Sequence, residues 1–425
     1  MAIKQESTIK MSESKIRKYP SNNPVGLYYT LDWGGTNFRI LRIQFNGNNK
    51  PDMKIFKTKV DDSYLISDNE TKLFDYLSNI IKDFIIKNGD DITKEYKVGF
   101  TFSFPMKKKS INEGILIEWT KGYKVSNCEG YDISKKMSDS FKRVGINGNI
   151  VVICNDTVST LLACKYTHNE CRMGVILGTG SNACYMEPKM NDEIINIEWG
   201  GFGSILLPRM PIDFIMDQHT PHPNKQSLEK LVSGLYIGEL VRLLSIEVFR
   251  ERIVDYESKS AMNTEWGFPS EDVSLIIDNY NKNNINQVLN VLKSKYNLTD
   301  FTINDCVVFS KICVLLLNRS CDLAAAMILG ALEKTGLYTC HRNDDNNPYE
   351  SDTFELTDKY KNDKNLKVII ACDGSLYEKA PNYQKRLNNT MKNIIGNDIY
   401  SRIQIILQKE GSLIGPAVAA LAIET

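Results

Sequence analysis

Between two apolar runs, Leu27-Tyr28-Tyr29 and Ile40-Leu41-Arg42-Ile43, stands Leu31-Asp-Trp-Gly-Gly-Thr-Asn-Phe-Arg39. Apolar runs flanking adjacent glycines read as strand, tight turn, strand. Gly34 and Gly35 present no Cβ, so the backbone there can come close to an anion. Successive N–H groups in such a turn form an anion-binding nest. Asp32, Thr36, Asn37 and Arg39 add a carboxylate, a hydroxyl, an amide and a planar cationic fork suited to phosphate. From these residues alone, an ordinary hairpin with a Gly-Gly turn reads equally well.

A second copy of the pattern shifts the balance. Val175-Ile-Leu-Gly178-Thr179-Gly180-Ser181-Asn182-Ala-Cys-Tyr-Met186 is again strand, glycine turn, strand. Two phosphate-type hairpins about one domain apart imply an internal duplication with a nucleotide between its halves. No Gly-x-x-x-x-Gly-Lys-Ser/Thr loop occurs, which excludes a P-loop enzyme.

At 425 residues the chain can bury a large core and is expected to form two lobes. Lys+Arg and Asp+Glu are both 52, so no global field draws it to nucleic acid or to an anionic membrane. Lys107-Lys108-Lys109 reads as a solvated loop face. The ten cysteines show no Cys-x-x-Cys spacing, and Cys154, Cys184, Cys313 and Cys372 lie inside apolar runs. Buried thiols in a reducing compartment explain them better than disulfides or zinc. The N-terminus lacks an apolar signal core, and no stretch is expected to span a bilayer. The expected location is cytoplasmic.

Residues 1–24 are polar and read as a partly disordered tail. Lys72–Lys87 has apolar residues at helical spacing, and Ile150–Cys154 reads as a buried strand leading into a helix from Thr157. Ser227–Ile253 and Asp305–Thr335 are helix-like, with Gly336 as a stop. Residues 341–365 are polar and read as a mobile surface insertion. Leu366–Cys372 reads as a strand ending at Asp373-Gly374, and Gly415–Ile423 as a short terminal helix. Asp156 follows a strand and opens a helix. It is therefore either a functional carboxylate at a strand's carboxyl end or an N-cap, and position alone favours the cap.

Several further blocks occur in order: Gly99-Phe-Thr-Phe-Ser-Phe-Pro105, Trp119-Thr-Lys-Gly-Tyr-Lys124, Asn155-Asp-Thr-Val158, Glu198-Trp-Gly-Gly-Phe-Gly203, Leu231-Val-Ser-Gly-Leu-Tyr236, Asp373-Gly-Ser-Leu-Tyr377 and Glu410-Gly-Ser412. Together with the two hairpins, they make the chain resemble the eukaryotic-type hexokinases of the actin-like ATPase superfamily over most of its length. The resemblance implies an α/β, two-lobed, ribonuclease H-like fold, internally duplicated around a deep interlobe cleft. It implies a small domain from 25–155 plus 411–425 and a large domain from 156–410. The N-terminal region is shorter than the family usually carries.

The implied reaction moves the γ-phosphoryl group of ATP to the 6-hydroxyl of glucose or another hexose. Its catalytic residues would be Asp156, Lys121 and Arg39, which reverses the preference for a mere cap at Asp156. Sugar contacts would come from Ser103, Thr120, Lys121, Asn155, Asp156, Asn182, Glu198 and Glu229. Nucleotide contacts would come from Asp32, Gly34, Gly35, Thr36, Asn37, Arg39, Gly178, Thr179, Gly180, Ser233, Gly234, Asp373, Gly374, Ser375, Gly411 and Ser412. Asp32 would hold Mg²⁺ through water. Phe102, Phe104 and Trp119 would pack around the pocket. A catalytically weak glucose sensor of the same fold is the alternative, and an actin-like filament protein a third reading. Self-assembly is left open.

Three stretches depart from the family. Pro208, Pro211, Pro221 and Pro223 crowd the loop before Lys225. Lysines follow Pro105. Leu413, Ile414 and Pro416 replace small residues, and are expected to loosen the adenine contact and weaken discrimination among triphosphates.

Overall fold

The structure, a computed structural model, describes residues 8–19, 24–35, 37–47, 51–203, 205, 207–253, 260–341, 352–363 and 365–424. The chain enters as a short strand β1 (Ser12–Glu13) and then builds β2 (Val25–Trp33), β3 (Asn37–Asn46) and β4 (Asp52–Lys59) as an antiparallel meander. Helix α1 (Glu70–Lys87) leads to β5 (Tyr96–Phe102), and α2 (Ile133–Val144) to β6 (Gly148–Cys154), both parallel to β2. Helix α3 (Asp156–Thr167) follows.

The pattern then repeats. Strands β7 (Cys171–Leu177), β8 (Ser181–Glu187) and β9 (Glu193–Asn196) form a second meander. After the helices α4 (Pro211–Gln218), α5 (Ser227–Val232), α6 (Gly234–Val248) and α7 (Ile303–Lys334) comes β10 (Val368–Asp373). Helix α8 (Ser375–Lys379), strand β11 (Ile403–Leu407) and helix α9 (Gly411–Glu424) complete it. The two sheets have orders β4-β3-β2-β5-β6 and β9-β8-β7-β10-β11, the same topology twice, with β1 added beyond β9.

The helices that close the two repeats exchange sheets. α3 follows the first sheet and packs on the second; α9 follows the second and packs on the first. One apolar cluster fills each lobe, and a third lies between them around α3 and α9. The crossing of α3 and α9 is made by glycines. A Cβ on Gly415 would lie 2.0 Å from Ser159 O, and one on Gly411 2.9 Å from Thr160 Cα. No side chain fits there.

The terminal helix is longer than the sequence suggests, so Pro416 sits inside it rather than in its first turn. A proline there leaves the carbonyl four residues earlier without its helical partner. That carbonyl, Ser412 O, accepts from Thr101 Oγ1 at 2.5 Å, and Leu413 O accepts from Thr30 Oγ1 at 2.7 Å. The lost helical bond is replaced by a bond to the first sheet. Gly99 in β5 accommodates the proline ring, since a Cβ there would meet Pro416 Cβ at 2.6 Å.

Other expectations need correction. Residues 8–19 do not form a loose tail: β1 pairs with β9, and Arg17 Nε donates to the buried Glu193 carboxylate at 2.7 Å. Residues 1–7 and 20–23 lie outside the described residues. Lys108 is not on a solvated face. Its ammonium donates to Ile111 O at 2.8 Å and to Ile153 O, and burial pushes its pKa down to about 8. Within the polar stretch, Thr353–Leu356 pairs with Tyr338–His341, while residues 342–351 lie outside the described residues. Ser227–Ile253 is broken at Ser233. One helix, α7, is long and apolar enough to cross a membrane by length and composition. Its apolar residues, Phe309, Leu316 and Ile328 among them, are instead the core of the second lobe.

Candidate active site

The first glycine hairpin forms as the sequence suggests. Antiparallel register sets Asp32 opposite Arg39, and Gly34 N donates to Asn37 O at 3.2 Å. Thr36 lies outside the described residues. Gly35 is required by a neighbour: a Cβ there would lie 2.6 Å from Lys121 Cδ. Arg39 is more tightly engaged than a free phosphate fork would be. Its Nε donates to Asp32 at 2.8 Å, its Nη1 to Glu410 at 2.7 Å, and its Nη2 to Ser412 Oγ at 2.6 Å and to Asp32. Only one of the five N–H groups of a guanidinium is left over. Arg39 therefore ties the hairpin to the start of α9, and offers a phosphate its charge rather than a bidentate grip. Asp32 Oδ2 takes Arg39 and Ser412 Oγ, while Oδ1 accepts from no described residue.

Asp156 is not the helix cap. Asn155 Oδ1 accepts from Thr157 N at 3.0 Å, so the cap is the asparagine. Asp156 Oδ1 also accepts from Thr157 N, at 2.8 Å, and its Oδ2 accepts from no described residue. Burial pushes its pKa up to about 6, with Glu198 and Asp32 adding to the rise and Lys121 opposing it. A carboxylate poised near neutrality suits a general base. Lys121 comes from the loop after Trp119 and has left-handed backbone, φ 58°. Its Nζ donates to Ser103 O at 2.5 Å and lies 5.1 Å from the Phe104 ring centre. Ser103 and Thr120, on either side of this contact, are both half-buried. Behind them Trp33, Phe102, Phe104, Trp119 and Tyr123 form one aromatic cluster, which is packing as expected.

The opposite wall carries the other carboxylates. Glu198 stands just past β9, in left-handed backbone at φ 58°. Its Oε1 accepts from Asn196 Nδ2 at 2.6 Å and Asn182 Nδ2 at 3.3 Å, and its N–H donates to Asn182 Oδ1 at 3.0 Å. In this structure Asn182 is thus engaged in holding Glu198. Glu229 Oε1 accepts from Ser181 N at 3.3 Å; burial raises its pKa, and Glu198 and Asp156 raise it further. Gln226 was passed over in the sequence. It too has left-handed backbone, φ 55°, and a Cβ on Gly200 would lie 2.7 Å from its Oε1. Lys121, Glu198, Gln226 and Glu410 are four left-handed non-glycine residues around one cleft. Such strain gathers at functional sites.

The nucleotide segments also converge. Gly234 N donates to Gly178 O at 2.8 Å and Leu235 N to Thr179 O at 3.2 Å. A Cβ on Gly178 would lie 3.3 Å from Gly374 Cα, so the Gly178–Gly180 turn, the start of α6 and the Gly374-Ser375 turn share one floor. Burial raises the pKa of Asp373, with Arg39 opposing. Two of the residues expected near the nucleotide are engaged in the fold. Ser233 is fully buried and its hydroxyl donates back to Glu229 O at 2.5 Å, so in this structure its one hydroxyl proton is used within the fold. Leu413 is fully buried, and with Pro416 it faces the interlobe core and the first sheet. Leu413 and Pro416 therefore serve packing, and no loosening of an adenine contact is expected from them. Leu413→Gly should cost about 2–5 kcal/mol of stability by opening a cavity. The ATP-to-GTP rate ratio should stay unchanged. Denaturant midpoints and a two-nucleotide assay check both halves.

Duplicated sheets that clasp a base, facing carboxylates and two glycine turns define a two-lobed sugar kinase. Hexokinase profiles match residues 1–166 and 172–422. The chain is 31% identical over 433 residues to Hexokinase-7 of Oryza sativa subsp. japonica, covering 98% of this chain and 89% of the relative. A crystal structure of a hexokinase superposes with TM-score 0.83 at 27% identity, covering 98% of this chain and 89% of that one. The hexokinase from Schistosoma mansoni, solved with glucose, superposes with TM-score 0.81 at 26% identity, covering 97% and 89%. The chain belongs to the hexokinase family, ATP-dependent phosphotransferases acting on hexoses. Nothing in the cleft favours a non-catalytic sensor.

Proposed function

We propose that Asp156 takes the proton from the 6-hydroxyl of glucose, or a related hexose, as that oxygen attacks the γ-phosphorus of ATP. The observation that carries this is the division of labour at the start of α3: Asn155 caps the helix and leaves Asp156 a carboxylate with a pKa near 6. Glu198 and Glu229 accept from sugar hydroxyls; Lys121, Asn155 and Gln226 donate. Glucose as substrate is supported by the Schistosoma relative, which was solved with that sugar. The charge of Lys121 opposes the raised pKa of both Asp156 and Glu229, which supports a role for it beside them. Closure of the lobes excludes water, which otherwise competes as a nucleophile.

The donor set fits Mg²⁺. Among the described residues no group of three or more His, Cys, Asp or Glu gathers to cage a metal. Mg²⁺ needs no such cage, since it keeps waters and binds chiefly through phosphates and one or two carboxylates. Asp32 Oδ1 is the oxygen that would hold it through water, and the ion would neutralise phosphate charge. None of the ten cysteines is in a disulfide, which supports a reducing, cytoplasmic setting; phosphorylation of glucose there would be the first step of glycolysis. A coupled assay with ATP over glucose, mannose, fructose and galactose tests the reading. Turnover with glucose that needs added Mg²⁺ is expected; no turnover with any of the four sugars would overturn it.

A further inference from the structure

Strand β9 and the residues just past it contribute two polar side chains to the sugar wall, and so far only Glu198 has been given a role. The other, Asn196, is 9% exposed and stands at the centre of a hydrogen-bond network. Its Nδ2 donates to Glu198 Oε1 at 2.6 Å. Its Oδ1 accepts from Asn182 Nδ2 at 2.9 Å and lies 3.3 Å from Thr157 Oγ1. The partners fix which way the amide points. Asn182 Oδ1 accepts from Ala183 N and Glu198 N, so its Nδ2 is the donor toward Asn196, whose facing atom must be oxygen and whose nitrogen then faces Glu198. The single Thr157 hydroxyl proton is shared between Asn155 Oδ1, at 2.8 Å, and Asn196 Oδ1. The network therefore runs from the cap beside Asp156 to the carboxylate on the opposite wall.

We propose that Asn196 is the positioning residue of this site: it fixes the Glu198 carboxylate, and with it Asn182, in the orientation that receives the sugar. The proposal rests on Glu198 being a sugar-binding residue. Glu198 needs such a partner. A glutamate side chain loses considerable rotamer freedom when ordered, and without Asn196 its carboxylate keeps, among the described residues, only the 3.3 Å contact from Asn182. Aspartate at position 196 would have the same shape with no donor, and would set two carboxylates face to face. The charged groups around this pair are Asp156, Glu229 and Lys121, the first two of which feel Glu198 electrostatically.

The test compares Asn196→Asp, Asn196→Ala and Glu198→Ala with the parent enzyme, reading glucose KM, ATP KM, kcat and Tm. Asn196→Asp should raise glucose KM at least tenfold at pH 8 and leave ATP KM within twofold. Part of that rise should disappear at pH 6, because one proton shared by the facing carboxyls restores a donor. Asn196→Ala should raise glucose KM three- to tenfold, with no recovery at pH 6. A residue that merely supported the fold would lower Tm without this split between the two substrates. If Asn196→Asp does not fold, Asn196→Ala decides. Glucose KM within twofold of the parent in the foldable Asn196 variants, while Glu198→Ala raises it tenfold, overturns the inference and leaves the site intact. Unchanged glucose KM in Glu198→Ala overturns the site reading as well.

Discussion

Asp156→Asn should lower kcat by about a hundredfold to ten-thousandfold while glucose binding changes little. The amide keeps the shape and still accepts from Thr157 N, but cannot take a proton. In the parent enzyme, kcat should fall as pH drops through about 6, where the base becomes protonated. The stability effect has the opposite sense. A carboxyl whose folded pKa is raised contributes stability that is present below its ordinary value of 3.8 and lost as pH rises through about 6. At pH 7 the charged base is a burden, and the asparagine variant should be more stable by roughly 1–3 kcal/mol. That advantage should vanish near pH 4. Purified, folded Asp156→Asn with near-normal kcat would sink the assignment.

Glu198→Ala and Glu229→Ala should each weaken glucose binding by roughly 1–3 kcal/mol, and ATP binding far less. Each change leaves sugar hydroxyls unpaired in a desolvated cleft. Glu229 also accepts from Ser181 N beside the Gly178–Gly180 turn, so its loss should disturb ATP KM somewhat more than the loss of Glu198. Glu198 acts electrostatically on Glu229, so the double variant should lose less than the sum of the singles. Calorimetry decides. Unchanged glucose affinity in both variants would remove them from the site.

The parts legible in the sequence were those with a local signature. Gly-Gly and Gly-Thr-Gly turns between apolar runs became the two hairpins, because glycine and alternation act within a few residues. The ordered blocks located the cleft. What escaped depended on distant partners. β1 is two polar residues whose pairing is decided by the open edge of β9, so no alternation announces it. Pro416 looked like a helix start because a proline interior to a helix needs an outside donor, and Thr101 supplies it from another strand. Lys108 looked solvated because the carbonyls of Ile111 and Ile153 that receive it are set by the fold. Position alone could not tell whether Asp156 was cap or base, since aspartate and the neighbouring asparagine both cap helices well. Gln226 and Asn196 carried no signal of their own. Their roles appear only when Gly200 and Glu198 are brought beside them.

The buried thiols also have a practical use. Nine of the ten cysteines lie inside the lobes or between them, and Cys340 alone is half-buried. Burial holds thiols such as Cys184, Cys313 and Cys372 in the unreactive protonated form. With Cys340→Ser, the native chain becomes an almost silent background for maleimide dyes. Cysteines introduced at the exposed positions Glu118 and Lys225, on either side of the cleft, would then take a donor and an acceptor fluorophore. Energy transfer between them should rise as glucose is added. The proposed closure of the lobes could be followed one molecule at a time, without first stripping the core of its sulfur.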